Sequence, residues 1–237
     1  MPLGYRPSNQ LASPFVDKVA IMLESADEQR CQQETERDMH AEIREEPLRY
    51  LEEHARIPIA FEVSSVLELT VRDQGFGGFG LAERLLTTPY VKDYDALPAN
   101  SPADWSRQFD LSNWGLLSAR LEGCLVGGAV IAFMTEGLAI LEDRGDLAVL
   151  WDIRVSPAAR RRGVASALFS TAEQWAGARD CRQIKVETQN INVAACKFYA
   201  SRGCELGAIH RFAYPEFPEE IQLLWYKDLS RKLQSSE

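Results

Sequence analysis

The stretch Arg160-Arg161-Arg162-Gly163-Val164-Ala165 joins an apolar segment, Leu147 to Val155, to a pattern in which Val164, Leu168, Ala172 and Trp175 share one stripe. The order is strand, basic glycine-containing turn, helix. Such a turn aims free backbone N–H groups at one point, backed by the positive end of the helix dipole. The chemistry this permits is anion binding, and a pyrophosphate is the natural occupant. Gly163 lets the backbone approach a ligand and small Ala165 keeps the next position clear. The arginines add charge, most of it solvated. This turn carries neither the Gly-x-Gly-x-x-Gly nor the Gly-Lys-Ser/Thr phosphate motif.

A second block follows. Ile184 to Gln189 reads as a short β-branched strand ending in a polar turn, and Asn192 is placed to cap a helix. Ala195, Phe198 and Tyr199 share a helical face, and Gly203 stops the helix. On these residues alone Tyr199 is either a packing residue whose hydroxyl reaches water or a working group.

Together the two blocks resemble the GNAT superfamily of acyl-CoA N-acyltransferases. Arg160 to Ala165 resembles its Gln/Arg-x-x-Gly-x-Gly/Ala signature, and Asn192 to Tyr199 its Asn-x-x-Ala-x-x-Phe/Leu-Tyr signature. A narrower resemblance is to streptothricin acetyltransferases, in Glu187-Thr188-Gln189-x-x-Asn192-x-x-Ala195-Cys196, Pro89-Tyr90-x-Lys92-Asp93-Tyr94, Asp73-Gln74-Gly75-Phe76 and Leu224-Trp225-Tyr226. Two departures stand out: a long segment before residue 57, and Trp151 with the Phe/Gly-rich run 75–80, where specificity could differ.

The resemblance implies acetyl-CoA as co-substrate, with no metal. Residues 161–165 would take the pyrophosphate, with Arg160, Arg161, Arg162, Gly163, Val164 and Ala165 as the binding set. Ile153 and Val155 would bond the pantetheine from a strand that splays from its neighbour, and Asn192 and Tyr199 would complete the coenzyme site. Acetyl transfer to an amine needs an unprotonated amine, a polarised carbonyl and a neutralised thiolate. Tyr199 is the expected acid to the thiolate. The base is Asp152 or Glu187, and each has a plainer alternative: holding the substrate's ammonium, or being satisfied by Arg154 or Lys185.

The elements that must position these groups form an α/β (α+β) domain, a mixed sheet flanked by helices. Strands are expected over 59–71, 116–121, 125–135, 147–155, 184–188, 206–214 and 221–226, with helices over 164–178 and 193–202. The run 75–80 reads as a loop; a closed acidic pocket built by residues 72–95 would favour a small-molecule acceptor, and an open groove a peptide. Residues 1–56 are assigned to an acidic helical extension and 57–237 to the catalytic domain. Residues 1–60 carry 12 acidic against 7 basic residues. Good helix formers run from Glu24 to Ala55, and Pro47 divides them into two helices. That arm is expected to be dispensable for chemistry.

Composition bounds the rest. A chain of 237 residues with 46% hydrophobic content buries one good core. A net charge of −9 disfavours a non-specific nucleic-acid binder and suits a cationic amine. No apolar run approaches the roughly 18–20 residues of a membrane span, and no leader pattern is evident, so the expected location is the cytoplasm. The five cysteines, at 31, 124, 181, 196 and 204, show no Cys-x-x-Cys spacing. Cys196 reads as a small buried hydrophobe, and none of His40, His54 and His210 lies in a partner motif.

The expected function is N-acetylation of a small cationic amine, with a streptothricin-like antibiotic, and hence antibiotic resistance, as the named candidate. A protein or peptide N-acetyltransferase and a non-catalytic acyl-CoA-binding module are the alternatives. No membrane partner is expected, and a homodimer is an option.

Overall fold

The computed structural model describes residues 41–98 and 100–230. Among these residues nine strands run in chain order: β1 (Glu42–Glu46), β2 (Phe61–Val71), β3 (Phe79–Lys92), β4 (Gly115–Leu121), β5 (Cys124–Ala132), β6 (Leu147–Val155), β7 (Gln183–Gln189), β8 (Glu205–His210) and β9 (Gln222–Asp228). The described α-helices are α1 (Leu51–Ala55), α2 (Val164–Gly177) and α3 (Val193–Ser201). Seven strands form one mixed sheet, in the order β1-β4-β5-β6-β7-β9-β8, and β2 and β3 form a separate ribbon. Only β6 and β7 run parallel, which is why a helix, α2, must connect them.

Strand alternation sends side chains to two cores on opposite faces of the sheet. Leu117, Ala119, Ala129, Ile131, Ala148 and Leu150 pack with Val164, Leu168, Ala172 and Trp175, the stripe of α2. Leu116, Val130, Ala132 and Val149 face the other way, onto Leu51, Trp105, Leu111 and Trp114. Covered on both faces, β6 reads as a continuous apolar run. The β4–β5 turn is Glu122-Gly123, both at positive φ, the two-residue hairpin that matches sheet twist.

Two expectations are corrected. Residues 42–46 are not helical: β1 pairs with β4 from Glu42↔Arg120 to Glu46↔Leu116. A charged, short edge strand satisfies its backbone by pairing and discourages further strands from adding, and its side chains carry no apolar signal beyond Ile43. Residues 42–55 therefore pack with the sheet, β1 as its edge strand and α1 through Leu51 in the core. Residues 1–40 of the expected extension lie outside the described residues.

The second correction concerns residues 72–95. After a turn with Asp73 and Gln74 at positive φ, residues 79–92 form strand β3, whose side chains are mostly exposed. Asn190, at the β7–α3 turn, clips the ribbon by exchanging hydrogen bonds with the Leu67 backbone, Leu67 N–H to Asn190 O (2.9 Å) and Asn190 Nδ2 to Leu67 O (3.1 Å).

Candidate active site

β6 and β7 pair only from Leu147/Gln183 to Leu150/Val186. Past that point β6 stays with β5 as far as Val155, and β7 stays with β9 as far as Gln189. Two strands each held by an outer neighbour must diverge, so the sheet splits at its centre. Trp151 has no partner in the β5 register, a bulge that locally bends β6 at the split. The gap opens into a cleft of about 810 Å³.

Ile153, Val155, Arg160, Arg161, Gly163, Val164, Ala165, Asn192 and Tyr199 line this cleft, as do Asp152 and Glu187; Arg162 does not. At its α2 end Arg161 and Gly163 both take positive φ, +66° and +80°. The first helical hydrogen bond runs from Ala167 N–H to the Gly163 carbonyl, so the N–H groups of Val164, Ala165 and Ser166 have no helical acceptor. Alternating left-handed residues before a helix make a concave set of amides suited to phosphate oxygens. An added Cβ at Gly163 meets nothing within 4 Å, so the space is open for a ligand. Arg160 is a tether: its guanidinium donates to the Val155 and Ala60 carbonyls. Asn192 caps α3, accepting from Ala195 N–H at 3.1 Å.

Asp152 is bound on both oxygens. Oδ1 faces His54 Nε2 (2.8 Å) and Arg154 Nε (2.9 Å), and Oδ2 accepts from Arg154 Nη2 (3.0 Å). Burial pushes the carboxyl up, but His54 and Arg154 outweigh it and hold it below the usual carboxylate range. Arg154 also grips Asp95 through both terminal nitrogens. Lys92 and Glu220, both buried, form a second ion pair in the same cleft, with Phe217 4.0 Å from the ammonium.

Glu187 differs. Oε1 accepts from the Tyr214 hydroxyl (2.6 Å) and Oε2 from Gln222 Nε2 (2.8 Å), both neutral donors. Of the three carboxylates lining the cleft it alone has no ion pair among the described residues. Tyr199 is buried at the foot of the gap, its ring edge-on to Phe198 and Phe169. Burial, with smaller contributions from Cys204, Asp152 and Cys196, pushes its hydroxyl pKa up, so it stays protonated. Cys196 is buried and burial likewise raises its thiol, in keeping with a packing role. Among the described residues no group of three or more His, Cys, Asp or Glu side chains could hold a metal ion.

Sequence reading did not find His54, Asp95, Tyr214 or the Lys92–Glu220 pair as members of the site. His54 lies 98 residues from Asp152 in the chain and Lys92 lies 128 from Glu220. No local spacing encodes such contacts. Lys92 and Tyr94 had a signal, the Pro89-to-Tyr94 patch, whereas the rest of 72–91 does not line the cleft.

The model of the acetyltransferase (GNAT) family matches residues 80–204. The chain belongs to the GNAT family. Its sequence is 33% identical over 169 residues to the streptothricin acetyltransferase of Escherichia coli, spanning 70% of this chain and 84% of that one. A Bacillus anthracis structure with acetyl coenzyme A, described as a candidate streptothricin acetyltransferase, is 26% identical with a TM-score of 0.61, covering 79% of this chain and 99% of that one. A nourseothricin acetyltransferase shares the fold at 21% identity and a TM-score of 0.62, covering 80% and 99% of the two chains. This GNAT protein is an acetyl-CoA-dependent N-acetyltransferase, with the mixed α/β sheet expected of it. No described helix is long and apolar enough to cross a membrane.

Proposed function

We propose that this enzyme acetylates a primary amine of a streptothricin-like cationic antibiotic in the cytoplasm, where acetyl-CoA is made, and so confers resistance to it. The observation that carries this reading is Glu187, a carboxylate compensated only by neutral donors in a cleft walled by Phe61, Tyr94, Trp105, Trp151, Tyr214 and Phe217. An uncompensated carboxylate attracts an ammonium, and aromatic faces attract the remaining cationic surface. The enclosing rings suit a compact acceptor better than an extended peptide.

Acetyl-CoA supplies an activated thioester when bound. In this reading the amides of Val164 to Ser166, with Gly163 and Arg161, hold its pyrophosphate, and Ile153 and Val155 bond the pantetheine from the unpaired edge of β6. Glu187 takes the ammonium proton. Asp152 is occupied by Arg154 and His54, so its role is to anchor the Arg154 network beneath the site. Tyr199 donates to the departing thiolate. The catalytic unit then starts by residue 42, since β1 and α1 complete the sheet layer that carries His54.

A panel of acceptors tests the assignment. CoA release should be most efficient, by kcat/KM, with streptothricin, ahead of aminoglycosides, polyamines and peptides with free N-termini. A peptide leading the panel would replace the small-molecule reading.

Gly163→Val tests the coenzyme site. Valine strains a backbone held at φ +80° and places two methyl groups where the ligand must approach. Acetyl-CoA affinity should fall by more than about tenfold, a loss of about 1.4 kcal/mol or more. Unchanged affinity in a calorimetric titration of the folded variant would move the pyrophosphate elsewhere.

A further inference from the structure

We infer that Tyr214 is a positioning residue for acetyl transfer: with Tyr94 and Gln189 it forms a directed hydrogen-bond chain that fixes Glu187 as the proton acceptor. This rests on the reading of Glu187 as the base. The Tyr94 hydroxyl donates to Gln189 Oε1, and Gln189 Nε2 donates to the Tyr214 oxygen at 2.8 Å. Tyr214 then donates to Glu187 Oε1 at 2.6 Å. Because an ionised carboxylate only accepts, Tyr214 must donate to Glu187, so Gln189 presents its amide to Tyr214 and its carbonyl to Tyr94; the same amide also reaches Glu187 Oε1 at 3.4 Å. Gln222 closes the other carboxylate oxygen.

The chain joins three segments that are distant in sequence: the residues after β3, the end of β7 and the β8–β9 connection. That connection is pinned over the cleft by the Lys92–Glu220 ion pair, with Phe217 stacked on the ammonium. Burial pushes the ionisation of both Tyr94 and Tyr214 far up, so each remains a donor throughout the working pH range. The charged and titratable groups lining the cleft are Tyr94, Tyr214, the Lys92–Glu220 pair, Asp152 with Arg154 on β6, Arg160 and Arg161 at the α2 end, and Tyr199 on α3. Among them Tyr214 is the titratable group that bonds the Glu187 carboxylate directly.

A hydrogen bond to a carboxylate favours its charged form. Tyr214→Phe keeps the ring and deletes only the donated proton. The acid limb of kcat/KM, measured with one accepted amine, should move up by about one pH unit. Tyr94→Phe should shift the limb in the same direction by less, since it acts through Gln189. A purely packing role for Tyr214 would alter thermal stability and leave the limb in place. Glu187→Gln is the companion variant, expected to lose about 10²–10⁴-fold in kcat and to flatten the limb. If Glu187→Gln keeps the parental rate and limb, Glu187 is not the base. If it loses both while Tyr214→Phe leaves the limb unmoved, the base stands and the role of Tyr214 is overturned.

Discussion

Tyr199→Phe should lower kcat by about 10²–10⁴-fold, the usual range for a positioned acid, while acetyl-CoA affinity stays within about threefold of the parent. The ring packs on Phe169 at 5.7 Å and Phe198 at 5.1 Å between centroids, and phenylalanine preserves those contacts. Only the hydroxyl is lost. Its pKa, raised by burial, keeps the proton in place until negative charge develops on sulfur, and a thiolate is basic enough to attract it. Steady-state kinetics with an accepted amine, beside a calorimetric titration of acetyl-CoA, separates the two roles open to this residue. A variant turning over within about threefold of the parent would make Tyr199 a packing residue and water the proton source.

Arg154→Met should cost about 3–5 kcal/mol of folding stability, because it strands a buried carboxylate. Arg154 is 2% exposed and holds Asp152, Asp95 and the Ile57 carbonyl at once. Methionine fills much of the same space and removes the charge, leaving Asp152 with His54 alone. The pH dependence has a definite sign. In the parent the Asp152 carboxyl is held below its unfolded value, so its contribution is present above about pH 4 and is lost as pH falls further. In the variant His54 alone is left to offset burial, so the carboxyl rises relative to the parent and protonation relieves part of the penalty. The gap between the two proteins in urea midpoint should therefore be widest near neutrality and narrow toward pH 4. A loss under about 1 kcal/mol at neutral pH would show that Asp152 does not depend on Arg154.

Much of the α2 side of the cleft was legible because its signals are local. The stripe Val164, Leu168, Ala172 and Trp175 is read at helical spacing, and all four side chains are buried in α2. Gly163 precedes that helix at positive φ, a conformation a turn glycine adopts at no steric cost. The apolar run 147–155 is central because both its faces are covered. Asn192 caps its helix through its own side chain. The resemblance to GNAT enzymes rested on these same blocks.

Local pattern failed where pairing replaced packing. Glu42 to Glu46 has helix-forming composition, yet the exposed backbone edge of β4 makes it a strand. Residues 79–92, after a glycine-rich turn and interrupted by Pro89, gave no strand signal, and pairing with β2 supplies the order.

The residue types for acetyl transfer, the anion-binding turn and the strand–helix order were thus set by the sequence itself, through interactions spanning a few residues. Which of the two carboxylates is tied into ion pairs was decided only by tertiary structure. Asp152 and Glu187 look equivalent along the chain, each on a strand beside the gap. Folding brings His54 and Arg154 onto one, and Tyr214 and Gln222 onto the other. The physical reason is that a carboxylate's charge state depends on what surrounds it within a few ångströms, and beyond Arg154, two residues from Asp152, those neighbours arrive from distant parts of the chain.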